Sequence, residues 1–589
     1  MMREQGISVR FVLALLAVLA LVATACSNSD STSSDSAAGE DTSGERSAEG
    51  LDEGDAQTSD EEEAFAADSL DERQEADVVE GGAQAGEAEA AEESMADDAA
   101  AEAGAPQPTP GADSFAEAAD GGGLFDDDEP PPPPPSASRD NRFENYGIRD
   151  FVETSVDPLS TFALDVDTGS YSVGRQWLTE GSLPPIDSVR VEEYVNAFDY
   201  GYRDPDDVLG IEIDGGPSPF DDDNHIVRIG VQAQRLDDDE RPDASLTFVI
   251  DTSGSMEQGG RLELVKEALE ELVDELGGND QVAIVEFDDD PSIVLDPTDA
   301  DDEDEIVEAI DELRPGGSTN VEAGLALGYE LAGDMYDDDR VNRVILLSDG
   351  VANQGLTDPD ALSRMIREDA DRGIQLLTVG VGMGNFNDVL MEQLADQGDG
   401  FYAYVDTDDE AERLFEDNLT STLVTLAIDA KIQVEFDPEV VEAYRLIGFE
   451  NRGVRDSDFR NNDVDAGEVG AGHQVTAIYE IELERGVELD GDELGEVHLR
   501  WEEPGTGSIT ETETDIELDT IEASWSRTTD SFKLAVVVAT FAEVLRDSPF
   551  ADDIDLDDLE EEAEDLADRM DERAVDELAD LVALAERYS

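Results

Sequence analysis

Residues 244–256 read ASLTFVIDTSGSM. An apolar run ends at Asp251, and Ser253 and Ser255 follow at intervals of two. A strand that is apolar on both faces belongs in a sheet covered by helices on either side. The stretches that follow have the same character. RLELVKEALEELVDELG (261–277) is an amphipathic helix with Leu262, Val265, Leu269, Leu272, Val273 and Leu276 on one stripe. DQVAIVEF (280–287), RVNRVILLSD (340–349), IQLLTVGVG (374–382) and GFYAYV (400–405) read as buried strands. DEIVEAIDEL (304–313), PDALSRMIREDADRG (359–373) and NDVLMEQLAD (387–396) read as helices between them. Alternating strands and helices of this length predict a doubly wound, mainly parallel α/β sheet over residues 244–427.

On either side the period changes to two. LGIEIDGGPSPF (209–220) and HIVRIGVQAQRL (225–236) precede the α/β unit; AKIQVEFDP (430–438), QVTAIYEIELE (474–484) and ELGEVHLRWEE (493–503) follow it. These are half-buried antiparallel strands. Residues 141–243, which also hold a helix near Val191–Phe198, and residues 428–523 are therefore expected to build one β-sandwich with the α/β unit inserted into it. Residues 524–589 read as helical, with SFKLAVVVATFAEVLRD (531–547), an acidic helix and AVDELADLVALAERY (574–588).

The N-terminal 140 residues carry no such pattern. Arg3 and Arg10 precede an apolar core of secretory-signal length, FVLALLAVLALV, and ATAC follows with Cys26 directly after small residues. The segment resembles a bacterial lipoprotein signal, which implies cleavage before Cys26 and lipid attachment to it. A plain cleavable signal and an uncleaved membrane helix are the rival readings; the run is shorter than the ~20 residues a span needs. Cys26 is the only cysteine, so no intrachain disulfide forms. Residues 27–140 hold 34 acids and 3 bases, few aromatics and the run Pro130–Pro135. They cannot bury enough apolar surface to order, and read as a disordered acidic, proline-rich tether.

The whole chain of 589 residues has 152 acids against 35 bases, a net charge of −117. Residues 27–140 account for −31 and residues 141–589 for −87, so the folded part is acidic too. Such a surface repels phosphate backbones, excludes nucleic acid as a partner and favours cations. An acidic, lysine-poor surface also suits a salty environment, where screening removes self-repulsion.

In a parallel sheet, ligands bind outside the carboxyl ends of the strands. DTSGSM (251–256) lies at one such end, GGSTN (316–320) precedes the helix that begins at Val321, and LLSDG (346–350) closes another strand. Asp251, Ser253, Ser255, Thr319 and Asp349 can meet in one crevice. All five are oxygen donors, which suits Mg²⁺, Mn²⁺ or Ca²⁺ rather than zinc or copper. Two rival readings exist. A D-x-S-x-S turn can cap the helix at 261. Alternatively, a serine can be a nucleophile, but the three histidines, His225, His473 and His498, lie outside the α/β unit, and TSGSM lacks a nucleophile elbow. The acid clusters at 220–223, 288–290 and 300–305 read as solvated faces, and DVDTGSYS (165–172) as structural.

DTSGSM, GGSTN and SDG together match the metal-ion-dependent adhesion site of von Willebrand factor A domains. The likeness extends over residues 158–585 through STFALDVDTGSYS, LPPIDSVRVEEYVNAFDY, GNFNDVLMEQLAD, YRLIGFENR and DVDAGEVGAGHQVTAIYEIEL. These resemble bacterial von Willebrand factor A lipoproteins with their own flanking segments. The resemblance implies that Ser253, Ser255 and Thr319 bind the metal directly, with Asp251 and Asp349 acting mainly through water. It implies no enzyme, but a lipid-anchored extracytoplasmic protein that captures an acidic residue of a protein partner. The alternative is a scaffold that assembles a cell-envelope complex.

Overall fold

The structure is a computed structural model. It describes residues 141–589 apart from 222, 237–240, 351–358, 383–386, 463, 488 and 490–492. The signal segment, Cys26 and the tether lie outside the described residues.

The α/β unit has one six-stranded sheet. Its order is β10 (Tyr402–Val405), β9 (Ile374–Val381), β8 (Val341–Ser348), β5 (Ala244–Asp251), β6 (Gln281–Phe287), β7 (Pro291–Asp299). All neighbours are parallel except β7, which runs antiparallel to β6 at the edge. The pleat sends Leu246, Phe248 and Ile250 into the core shared with α3 (Arg261–Glu275) and α4 (Glu303–Glu312). Val249 faces the opposite core, shared with α5 (Val321–Met335), α6 (Pro359–Ala370) and α7 (Asp388–Asp396). This two-sided burial is why ASLTFVID is apolar throughout. The edge strand β7 is invisible to that pattern, because of its nine residues only Leu295 is buried.

Two short helices, α8 (Asp408–Glu412) and α9 (Leu419–Leu423), lead from β10 back into the flanks. The flanks form two antiparallel sheets. One has the order β1 (Val152–Glu153), β12 (Val441–Ile447), β14 (Gln474–Leu483), β4 (His225–Ala233), β3 (Leu209–Pro217). The other has the order β13 (Gly467–Gly470), β11 (Thr425–Phe436), β15 (Glu493–Glu503), β16 (Ser508–Glu517), with β2 (Leu159–Ala163) also paired to β11. Each sheet joins strands from both sides of the insertion: β4 pairs with β14 through Val231 and Val475, and β2 with β11 through Phe162 and Ile432. One hydrophobic core fills the space between the sheets, with Ile229, Val434, Tyr479, Leu499 and Trp501 among its members. The expected shared sandwich is thus present.

Helices cover the outer face of the first sheet. α1 (Gly169–Thr179), α2 (Val191–Asn196), α10 (Asp530–Leu545), α11 (Leu556–Met570) and α12 (Arg573–Tyr588) form one cluster that includes Ile226, Ile447 and Ile478 from the sheet. α10 is apolar around its whole circumference because it lies inside this cluster, with twelve of its sixteen residues buried. Thr529 caps it by accepting from Phe532 N at 3.1 Å.

Buried ion pairs join the α/β unit to the flanks. Arg452 contacts Asp165 at 2.8 Å, Asp167 at 3.0 Å, Glu392 at 3.1 Å and Asp396 at 2.9 Å. Arg190 pairs with Glu193 and, at 2.6 Å, with Asp388 of α7. Arg343 of β8 is buried and donates to Thr422 O at 2.7 Å and Thr425 Oγ1 at 3.0 Å, where the chain re-enters the sandwich. Asp165 and Asp167 of DVDTGSYS accordingly serve as structural partners of Arg452.

Candidate metal centre

Asp251 ends β5, and Asp349 follows the last residue of β8, its immediate neighbour in the sheet. Ser253 and Ser255 lie in the β5–α3 loop, their Oγ atoms 3.0 Å apart. Asp251 is fully buried. Its Oδ1 accepts from Ser253 N at 2.8 Å and its Oδ2 from Ser348 Oγ at 2.7 Å. Burial, and next the charge of Asp349, push its carboxyl up to about 7.

The GGSTN loop is fastened to this turn by backbone bonds. Gly316 N donates to Thr252 O at 2.7 Å, and Gly254 N donates to Gly317 O at 3.2 Å. Gly317 has φ +72°, and a Cβ there would lie 2.7 Å from Asp288 Oδ2, so only glycine fits. Asn320 N donates to Asp288 O at 3.0 Å, and the Asn320 side chain caps α5 by accepting from Ala323 N. The exposed carboxylate of Asp289 accepts from both the N–H and the Oγ of Ser318, and these bonds hold it below the usual carboxylate range. The acids at 288–290, read from sequence as a solvated face, thus also position the loop that carries Thr319.

Two oxygens here are buried and have no hydrogen-bond partner among the described residues: Thr319 Oγ1 and Asp349 Oδ1. An unpaired buried polar atom is costly, and a cation is the partner that two bare oxygen acceptors share. Together with the paired serine hydroxyls and two carboxylates, they fit a hard divalent ion. The residues therefore match the group that the motif implies.

One participant escaped the sequence reading. Arg261, the first residue of α3, reaches back and donates through Nη1 to Asp349 Oδ2 at 2.7 Å and to Ser255 O at 3.2 Å. Gly382, at the end of β9, makes room for it, since a Cβ there would lie 2.2 Å from Arg261 Nε. Only the apolar stripe of α3 is legible from periodicity, and a charged residue at its first position carries no signal of its target.

The geometry bears on both rival readings. The α3 N-cap is Gly260, with no side-chain cap, so neither serine caps that helix. The histidines lie in the sandwich. His225 and His498 are on β4 and β15, and half-buried His473 accepts from Gly470 N through Nδ1, desolvation pulling its pKa down to about 4. A separate cavity of about 500 Å³, lined in part by Phe198, Arg235, Phe401 and His473, lies where the flanks meet the α/β unit and contains none of the five residues.

The class of protein follows. Residues 245–417 match the model of the von Willebrand factor type A domain, and residues 137–228 match a second model described as von Willebrand factor. Residues 245–417 thus carry a von Willebrand factor type A domain, a kind of module that typically mediates protein–protein interaction and commonly binds a divalent metal. Residues 421–588 match the C-terminal model of the uncharacterized protein YfbK. YfbK of Escherichia coli (strain K12) is 38% identical over 351 residues, covering 58% of this chain and 61% of YfbK. An uncharacterized protein of Synechocystis is 27% identical over 297 residues, covering 48% of this chain and 67% of that protein. Among solved structures, a von Willebrand factor type A protein from Catenulispora acidiphila aligns with a TM-score of 0.38 and 18% identity, over 63% of this chain and 88% of that one. The chain thus spans about three fifths of YfbK's length.

Proposed function

We propose that this protein is a membrane-anchored, extracytoplasmic binding protein whose von Willebrand factor A domain captures a protein partner through a divalent metal. The observation that carries this reading is the pair of buried, unpartnered oxygens, Thr319 Oγ1 and Asp349 Oδ1, beside the Ser253–Ser255 hydroxyl pair. Ser253, Ser255 and Thr319 would hold the ion, and Asp251 and Asp349 would hold its waters. A bound Mg²⁺ or Mn²⁺ supplies Lewis acidity toward an acidic side chain of the partner. The reading is one of binding, since all five candidate residues are oxygen donors of the kind that holds a hard cation. Anchoring rests on Cys26 and the signal-like segment before it; no described helix is long and apolar enough to cross a membrane.

The second reading is a scaffold in a cell-envelope complex. It is favoured by the ion pairs of Arg452 with Glu392 and Asp396, and of Arg190 with Asp388, that weld the domain to its flanks. Titration calorimetry with Mg²⁺ and Mn²⁺ on the parent and on Ser253→Ala tests the metal. The parent should bind, and the variant should bind at least about tenfold more weakly, a loss of about 1.4 kcal/mol. A parent that takes up neither ion at millimolar concentration, or a variant that binds as well, overturns the reading. Partner capture from membranes that reverses with EDTA supports adhesion; a partner retained through EDTA supports the scaffold.

A further inference from the structure

A second group of acids lies where the α/β unit meets the sandwich, near Asp396 of the Arg452 junction. Asp399 sits in the loop between α7 and β10, in the α/β unit. Asp465 and Glu468 sit in and just before β13, in the sandwich. One carboxylate oxygen from each lies within 4.8 Å of the other two. Glu468 is 6% exposed, and its Oε1 is buried with no hydrogen-bond partner among the described residues. We propose that Asp399, Asp465 and Glu468 form a calcium site that ties the von Willebrand factor A domain to the β-sandwich.

The dimensions suit this ion. Three oxygens no more than 4.8 Å apart always have a common point within about 2.8 Å of each, close to the 2.3–2.6 Å of calcium–oxygen bonds. The set is all carboxylate, unlike the hydroxyl-rich centre at Ser253, and calcium accepts such ligands in irregular geometry with carbonyls and waters completing its shell. An entry path exists, since Asp465 lines a cavity of about 460 Å³ together with Asp396, Arg452 and Asp458. The loops are held in place. Gly398 O accepts from Leu376 N at 2.9 Å, and Asp429 Oδ1 accepts from Ala466 N at 2.9 Å.

The charge balance points the same way. Asp165, Asp167 and Glu193 form an equally tight triad nearby, but Arg452 and Arg190 lie among them. No ion pair joins a basic side chain to Asp399, Asp465 or Glu468 among the described residues. Lys431 on the sandwich side acts on Asp465 without pairing to it, and its amine donates to the carbonyls of Asn461, at 3.0 Å, and Val464. Arg367 acts on Asp465 only at longer range. Burial, and then neighbouring acids, hold all three carboxyls above their ordinary range; Arg367 and Lys431 offset only part of this at Asp465, and Arg343 feels the charge of Glu468.

The test uses the full chain with Ser253→Ala and Thr319→Ala, which removes hydroxyls from the first centre, so that calcium uptake reports on the second. Calorimetry with Ca²⁺ should still show one site, and calcium should raise the melting temperature relative to EDTA by roughly 2–4 °C. Adding Glu468→Gln should abolish both effects and raise the melting temperature in EDTA, because one of three repelling charges is gone. Should that variant fail to fold, Asp399→Asn on the loop takes its place, with the same losses expected. No calcium uptake at millimolar concentration in the doubly substituted chain, or undiminished uptake after Glu468→Gln or Asp399→Asn, overturns the site. Neither result bears on Mg²⁺ binding by the parent.

Discussion

The Arg452 junction and the Asp251–Asp349 crevice contain the same ingredients: buried carboxylates and an arginine. At the junction, one guanidinium meets four carboxylates within 3.1 Å and the acids spend their oxygens on it. In the crevice, Arg261 takes one oxygen of Asp349 and leaves the other bare, with Thr319 Oγ1 also bare. Acidity and burial alone therefore do not separate a binding site from a structural joint; the separation lies in whether the buried acceptors already have donors. A saturated network is a fastener, whereas an unsaturated one asks for a ligand.

The largest effect expected from this contrast is at the junction. Arg452→Ala leaves Asp165, Asp167, Glu392 and Asp396 without their shared cation. Removing one member of a buried ion network costs about 3–5 kcal/mol, so urea unfolding should show a loss of that order. A loss below about 1 kcal/mol would mean that water replaces the guanidinium and that the junction is not a fastener.

A smaller, pH-dependent effect is expected in the crevice. The Asp251 carboxyl sits at about 7 in the folded chain, above its unfolded value, so the folded state holds the proton more tightly. The corresponding stability is fully present below the unfolded value, near pH 4, and is lost as pH rises through about 7. In EDTA at pH 8, Asp251→Asn should therefore be more stable than the parent by roughly 1–3 kcal/mol. The advantage should vanish by pH 4. Thermal unfolding across this range checks it, and a pH-independent difference would refute the burial of charge as its cause.

The smallest effect concerns Arg261. Its charge neutralises part of the crevice and competes for Asp349 Oδ2. Arg261→Gln keeps a donor but removes the charge, and should tighten Mg²⁺ binding roughly tenfold, about 1.4 kcal/mol. Weaker binding in calorimetry would show instead that Arg261 positions Asp349 for the ion.

Much of this architecture was legible in the chain. The switch from period two to continuous apolar strands marks the inserted domain, because strands covered on both faces have no polar side. DTSGSM, GGSTN and SDG mark its site, because loops at strand ends carry the oxygen donors. β7 was not legible, since an exposed edge strand buries too little to show a period. The short strands β1 and β13, of two and four residues, are likewise too brief for any pattern.

The sequence by itself determined the inserted α/β unit, the strand-rich flanks on either side of it and five candidate oxygen donors, all of which rest on local periodicity and on residue type at strand ends. Only the tertiary structure decided which acids are satisfied. Arg452 meets Asp165 across 287 residues, Arg261 meets Asp349 across 88, and Glu468 faces Asp399 from another domain. In a chain with 152 acids, composition cannot assign 35 bases to partners. Long-range packing makes that assignment, and the carboxylates and hydroxyls it leaves bare are where this protein has room for metal.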